Sequence, residues 1–180
     1  MSIWRFCWSV IPCCQNRLTG AKLQLISIAS AITLTEWSES TFRRRIADGA
    51  LTRHIEPGPG GRAMVDLGAI KSHACIPLEE DDGPLIQEAD AGNAEAQNDL
   101  ALLFLANSKP RSAIYWLELA AKQDYPDAMH WLGRCHIDGN GVLQDENLGM
   151  MWLAKAAAHG HAISQAQMQA MLARFTEKTE

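Results

Sequence analysis

Leu132-Gly133-Arg134-Cys135-His136-Ile137-Asp138-Gly139-Asn140-Gly141-Val142-Leu143-Gln144-Asp145, closed shortly after by Trp152-Leu153-Ala154-Lys155-Ala156-Ala157, reads as a helix, a glycine loop and a second helix. Glycine gives up the most backbone freedom on becoming helical, so Gly139 and Gly141 mark a break. Asp145 stands just ahead of the second helix, where its carboxylate can accept from the free N–H groups of the first turn.

Working outward, the chain repeats this unit. Tyr115-Trp116-Leu117-Glu118-Leu119-Ala120-Ala121-Lys122 aligns with Met151-Trp152-Leu153-Ala154-Lys155-Ala156-Ala157-Ala158, 36 residues later. Ala94–Leu100 aligns with Pro126–Leu132 at a spacing of 32, and Ala162–Met168 repeats the same helix 36 residues on. The difference in spacing falls in the loop Asp138–Val142. Leu85 and Ala89 lie 32 residues before Leu117 and Ala121, which predicts a partial helix that opens the stack. Alanines recur where two helices must approach closely. Leu100, Phe104, Leu117, Leu132, Ile137 and Leu153 fall at helical spacing and form the expected interior. Trp116 and Trp152 share one repeat position, so equivalent core environments are expected for them. Pro110 suits the first turn of a helix, where a missing donor does no harm. Gly92 and Gly160 suit helix ends. The expectation is an α/α solenoid over residues 85–175, with two helix pairs and a terminal helix at about 162–175, followed by a tail at 176–180.

These residues resemble the Sel-one-like repeat, a relative of the tetratricopeptide repeat. The marks are Leu132-Gly133, Gly139-x-Gly141-Val142-x-x-Asp145, Trp152-Leu153-x-Lys155-Ala156-Ala157 and Gly160-His161. The first unit lacks the glycine loop, and His136 stands where the family usually has tyrosine. The resemblance implies a protein or peptide partner on the concave face and carries over no catalytic residue.

Upstream, Pro77-Leu78-Glu79-Glu80-Asp81-Asp82-Gly83-Pro84 brackets four acids between prolines and predicts a linker over 77–84. Before it, Leu25–Ile32 reads as a short helix capped by Ser27, and Leu34–Trp37 as a turn. Ser38 caps a second helix, Glu39 to Ala47, that Asp48-Gly49 ends. Thr52–Ile55 and Arg62–Val65 flank Pro57-Gly58-Pro59-Gly60-Gly61 as a β-hairpin, and Asp66 is a cap for a last helix, Leu67 to His73. The order resembles the winged helix-turn-helix of the MerR and excisionase families. The likeness rests on Ile28-Ala29-x-Ala31, Trp37-Ser38-x-Ser40-Thr41-Phe42-x-Arg44-x-Ile46-x-x-Gly49-x-Leu51 and Val65-Asp66-Leu67. It implies a module over 24–76 that holds double-stranded DNA, with Glu39, Ser40, Arg43 and Arg44 nearest the groove and Arg53 and Arg62 on the wing. Arg45 departs, because excisionase-like sequences place an apolar residue there.

Charge divides the same way. The net charge is −5, yet residues 79–180 hold seven basic and sixteen acidic side chains, and residues 1–23 hold Arg5, Arg17 and Lys22 with no acid. An acidic half repels phosphates, so nucleic-acid contact would belong to the first half. Residues 1–23 read as a disordered or poorly packed leader with neither a signal-peptide core nor a lipidation signal beside Cys7, Cys13 and Cys14. No membrane span is expected, and five irregularly spaced cysteines argue against a secreted disulfide framework, so the expected location is the cytoplasm. Cys135 and His136 are adjacent and point about a hundred degrees apart on a helix, so with His159 and His161 they make no metal site. No Ser/His/Asp, paired-carboxylate or phosphate-loop constellation stands out, which leaves no enzyme, cofactor or small-molecule substrate to expect. The function expected from sequence is a DNA-binding adaptor or transcriptional regulator whose repeats engage a protein. The alternative is an interaction scaffold with no nucleic-acid role.

Overall fold

The computed structural model describes residues 23–56 and 60–177. The expected leader, hairpin tip Pro57–Pro59 and last residues of the tail lie outside the described residues, apart from Leu23.

The first half is a small α+β unit. Strand β1 (Leu25–Ser27) runs into α1 (Ile28–Thr35), and α2 (Glu39–Ala47) follows after a short turn. Strands β2 (His54–Ile55) and β3 (Ala63–Asp66) come next, then α3 (Leu67–Ile70) and a 3-10 turn at Lys71–His73. The sheet is antiparallel in the order β1-β3-β2, with Ile26 opposite Val65 and His54 opposite Met64. Local sequence signals locate both main helices. The Ser27 hydroxyl accepts from the Ser30 N–H, and the Ser38 hydroxyl accepts from the Thr41 N–H. Ile26, Leu34, Phe42 and Val65 are fully buried between sheet and helices.

Three expectations change here. Residues 25–27 are a strand, because their backbone pairs with β3 before Ser27 turns the chain into the helix. Leu34 and Thr35 continue α1, and Glu36, in the left-handed region at φ 55°, makes the turn. Asp66 does not cap α3 with its side chain; its Oδ1 instead accepts from the Gln24 N–H at 3.2 Å, which ties down the start of β1.

The second half is helical throughout: α4 (Asp82–Ala91), α5 (Ala94–Ala106), α6 (Pro110–Ala121), α7 (Pro126–Asp138), α8 (Glu146–Ala158) and α9 (Ala162–Glu177). Helix α4 opens at Asp82, inside the acidic stretch, and the Glu79 N–H donates to the Asp82 carboxylate. The expected pairs are present as α5–α6 and α7–α8, with α9 as the terminal helix. Asp145 accepts from the Leu148 N–H at 2.9 Å, as its position predicts. Leu100, Phe104, Leu117, Leu132 and Leu153 are buried, whereas Ile137 is half-buried at the edge. The second pair leaves no room between its helices. A β-carbon on Gly149 would stand 2.5 Å from Ile137 Cγ1 and 2.7 Å from the Gly133 carbonyl. Gly141, at φ 82°, lays the loop on Pro110 of the preceding pair, where a β-carbon would meet backbone at 2.7 Å.

The two halves lie against each other. Asp90, near the end of α4, has a side chain only 5 % exposed and takes hydrogen bonds from the Ser27 N–H and from the Ser27 and Ser30 hydroxyls. The Ser112 hydroxyl of α6 donates to the Thr33 carbonyl of α1, and Lys109 pairs with Glu36 at 2.7 Å. This contact overturns the expected equivalence of Trp116 and Trp152. The first half covers Trp116, which is fully buried, while among the described residues nothing comparable covers Trp152, which is half-buried under the ammonium of Lys155.

Candidate functional site

The basic side chains of α2 follow from one geometric fact. Phe42 is buried and Ile46 half-buried, so the residues between them turn outward. Arg43 pairs with Glu39 one turn earlier, and both side chains are mostly exposed. Arg44 is exposed. Arg45 stacks its guanidinium 4.0 Å from the centre of the Trp37 ring, which accounts for a charged residue where an apolar one is usual. Ser40 is exposed and shares a hydrogen bond with Ser38.

Of the residues expected to touch DNA, Glu39, Arg43 and Arg53 line one groove of about 430 Å³ floored by Ile28, Phe42 and Ala63. Ser40 and Arg44 stand outside that groove on the same helix. Arg62 is turned elsewhere. Its guanidinium binds Glu56 at 3.0 Å and reaches the Asp90 carbonyl at 3.3 Å, and these acids raise its pKa, the Glu56 hydrogen bond most.

A second surface lies along the first helices of the repeat units, α5, α7 and α9. Asp127, Trp131, Arg134 and Asp138 form an exposed stripe on α7. Glu95 and Asp99 occupy the matching positions of α5 for the first two. Trp131 is 38 % exposed and sits edge-on to His130. Burial first, then the charges of Asp127, Glu95 and Asp99, push the Tyr125 phenol above its ordinary pKa. Carboxylates from two consecutive units therefore act electrostatically on one tyrosine.

Sequence reading missed a cluster at the end of the stack. The Ser164 hydroxyl lies 2.9 Å from Nδ1 of both His130 and His161, whose rings stack at 4.2 Å. Nε2 of His161 is 3.6 Å from Asp127. The residue types are those of a nucleophile triad, but the placement is not. Ser164 has no exposed surface, and its own backbone N–H already donates to His161 Nδ1 at 3.1 Å, so the imidazole serves as the cap of α9. The available signal was Ser164 itself, standing where the other units carry Ala96 and Ala128. Burial, then His161 and Arg134, hold the His130 imidazole below its ordinary pKa, against the pull of Asp127.

The two described thiols, Cys75 and Cys135, have no reactive setting. Burial pushes Cys135 up to about 11 and raises Cys75 as well. Among the described residues no cluster of three His, Cys, Asp or Glu side chains could hold a metal, and no helix is long and apolar enough to cross a membrane.

The geometry of the second half is that of stacked helix pairs with small residues at each crossing. The Sel1 repeat model matches residues 94–125 and 126–161, so this region carries two Sel1 repeats. A crystal structure of a Sel1 repeat protein from Oxalobacter formigenes is similar at 33% identity, with a TM-score of 0.47, over 56% of this chain and 32% of that one. The match thus spans about a third of that protein's length.

Proposed function

We propose that this chain is a protein-interaction scaffold whose partner lies along the α5–α7–α9 face. The observation that carries the reading is the exposed Trp131 on α7, with the exposed carboxylates of Asp127 on the same helix and of Glu95 and Asp99 at the matching positions of α5. An exposed tryptophan supplies a large apolar anchor, and acids around it select a basic partner. Affinity capture with the full chain tests this against an Asp99→Lys/Asp127→Lys variant. At least one protein should be enriched tenfold or more by the parent and lost from the variant. Identical captured sets would contradict the reading.

A second reading keeps the first half as a winged helix-turn-helix on double-stranded DNA. Three observations support it: exposed Arg43 and Arg44 on α2, Arg53 beside the same groove, and a β-hairpin following the helix pair. Against it, Arg62 is engaged by Glu56 and Asp90, Arg45 by Trp37, and Arg43 by Glu39. Among the described residues of this half few cations are left unengaged to neutralise phosphates, so the scaffold reading ranks first. Anisotropy of labelled duplex across a salt series decides it. The DNA reading requires saturable binding that weakens in Arg43→Ala and Arg44→Ala, with a shallower salt slope for a lost phosphate contact.

A further inference from the structure

The two repeats carry the same docking platform, and among the described residues only the first is occupied. Helix α6 presents Ser112, Tyr115, Trp116 and Leu119, and against it the chain lays its own α1, with Ile28 and Ala29 in the cleft they share. Thirty-six residues on, α8 presents Leu148, Met151, Trp152 and Lys155. These lie at i, i+3, i+4 and i+7, hence on one helical face. All four are at least partly exposed, and Met151 is 40 % exposed.

The charge at one rim position is reversed between the two platforms, although Glu118 stands one turn before it on α6. In the first, Asp90 at the end of α4 receives the N-terminus of α1. The helix ends superpose by landmark, because Gly92 (φ 102°) and Asp124 (φ 59°) are both left-handed and precede the residues that start α5 and α7. Counting back two residues from each, Lys122 stands where Asp90 stands. Lys155 likewise stands where Leu119 stands. The nearby acid Asp124 is turned to His159 at 3.9 Å.

We propose that the α6–α8 face around Trp152, Lys122 and Lys155 is a docking site for an acidic amphipathic helix of a partner protein. It sits on the second repeat as α1 sits on the first. Charge complementarity excludes a copy of α1, whose capped N-terminus requires the carboxylate that Lys122 replaces. The site is on the opposite layer of helices from the acidic α5–α7–α9 face, so the chain would hold two partners of opposite charge.

Two labelled helical peptides test this on the full chain. Both carry leucine at i, i+3, i+4 and i+7; one has glutamate at the remaining positions and the other lysine. The glutamate peptide should bind the parent and lose at least tenfold in affinity on Lys122→Glu/Lys155→Glu. Because Lys155 also lies over the Trp152 ring, the variant's melting temperature is measured beside its binding, and it should remain folded at the assay temperature. Trp131→Ala should leave glutamate-peptide binding unchanged while weakening the lysine peptide, whose loss alone would bear on the scaffold reading of the other face. Glutamate-peptide binding that is absent, or indifferent to the charge reversal, would overturn the proposal. So would a dimer in sedimentation that the same reversal returns to monomer, because a second copy would then occupy the face.

Discussion

The first and second repeats place the same tryptophan at the same point of the same helix, and its fate differs. Trp116 is sealed beneath the N-terminal half, with an indole N–H that finds no acceptor among the described residues, whereas Trp152 stays half-open under Lys155. A repeat position fixes where a side chain points. What covers it depends on the neighbour, and among the described residues only the first repeat has the α1 unit laid over that tryptophan. The crossings differ too. The first repeat meets through Ala101 and Ala113, both fully buried, where the second has Gly133 and Gly149.

The largest expected effect separates the tryptophans. Trp116→Ala should cost about 3–5 kcal/mol in urea unfolding, as large buried truncations do, and Trp152→Ala less than about half of that. Equal losses would break the comparison. Gly149→Ala should cost about 1–3 kcal/mol, because a β-carbon there forces the α7–α8 crossing apart. The first repeat already holds alanine at that point, so a silent Gly149→Ala would mean that the two crossings are alike.

Asp90→Ala leaves the Ser27 N–H and two hydroxyls without their acceptor, at about 1–3 kcal/mol. Hydrogen exchange should quicken over residues 25–35 and stay unchanged in α7 and α8. Uniform quickening would show that Asp90 holds the whole stack rather than the junction.

A smaller effect depends on pH. The folded state holds His130 below its unfolded value of about 6.5, so the unfolded chain binds the proton first as pH falls. The contribution is therefore intact above about pH 6.5 and diminishes below it, until the folded pKa is passed. The urea midpoint should fall between pH 7.5 and pH 5.5, and His130→Asn, which copies Asn98 of the first repeat, should flatten that fall. An unchanged slope in the variant would remove His130 as the cause. Smallest of all, Arg43→Ala and Arg44→Ala should leave the melting temperature unmoved, since exposed charges contribute little.

Much of this was legible in the sequence because local rules governed it. Ser27, Ser38 and Asp145 cap helices where their positions predict, and the spacings of 32 and 36 reproduce the two Sel1 matches. What escaped depended on distant partners. Residues 25–27 look helical until β3 pairs with them. Arg62 looks like a wing cation until Asp90, 28 residues away, draws it inward. Arg45 looks misplaced until Trp37 lies beneath it. The acidic surface went unread although the 32-residue spacing pairs Glu95 with Asp127, because sequence alone does not show which faces of α5 and α7 stay exposed.

The most direct test of the scaffold reading is site-specific photo-crosslinking in the living source cell, with a benzophenone amino acid placed at Trp131 in one full-length chain and at Arg44 in another. The account predicts a discrete protein adduct at position 131 that Asp99→Lys/Asp127→Lys abolishes, and no nucleic-acid adduct at position 44. DNA recovered at position 44, with no protein at position 131, would contradict it.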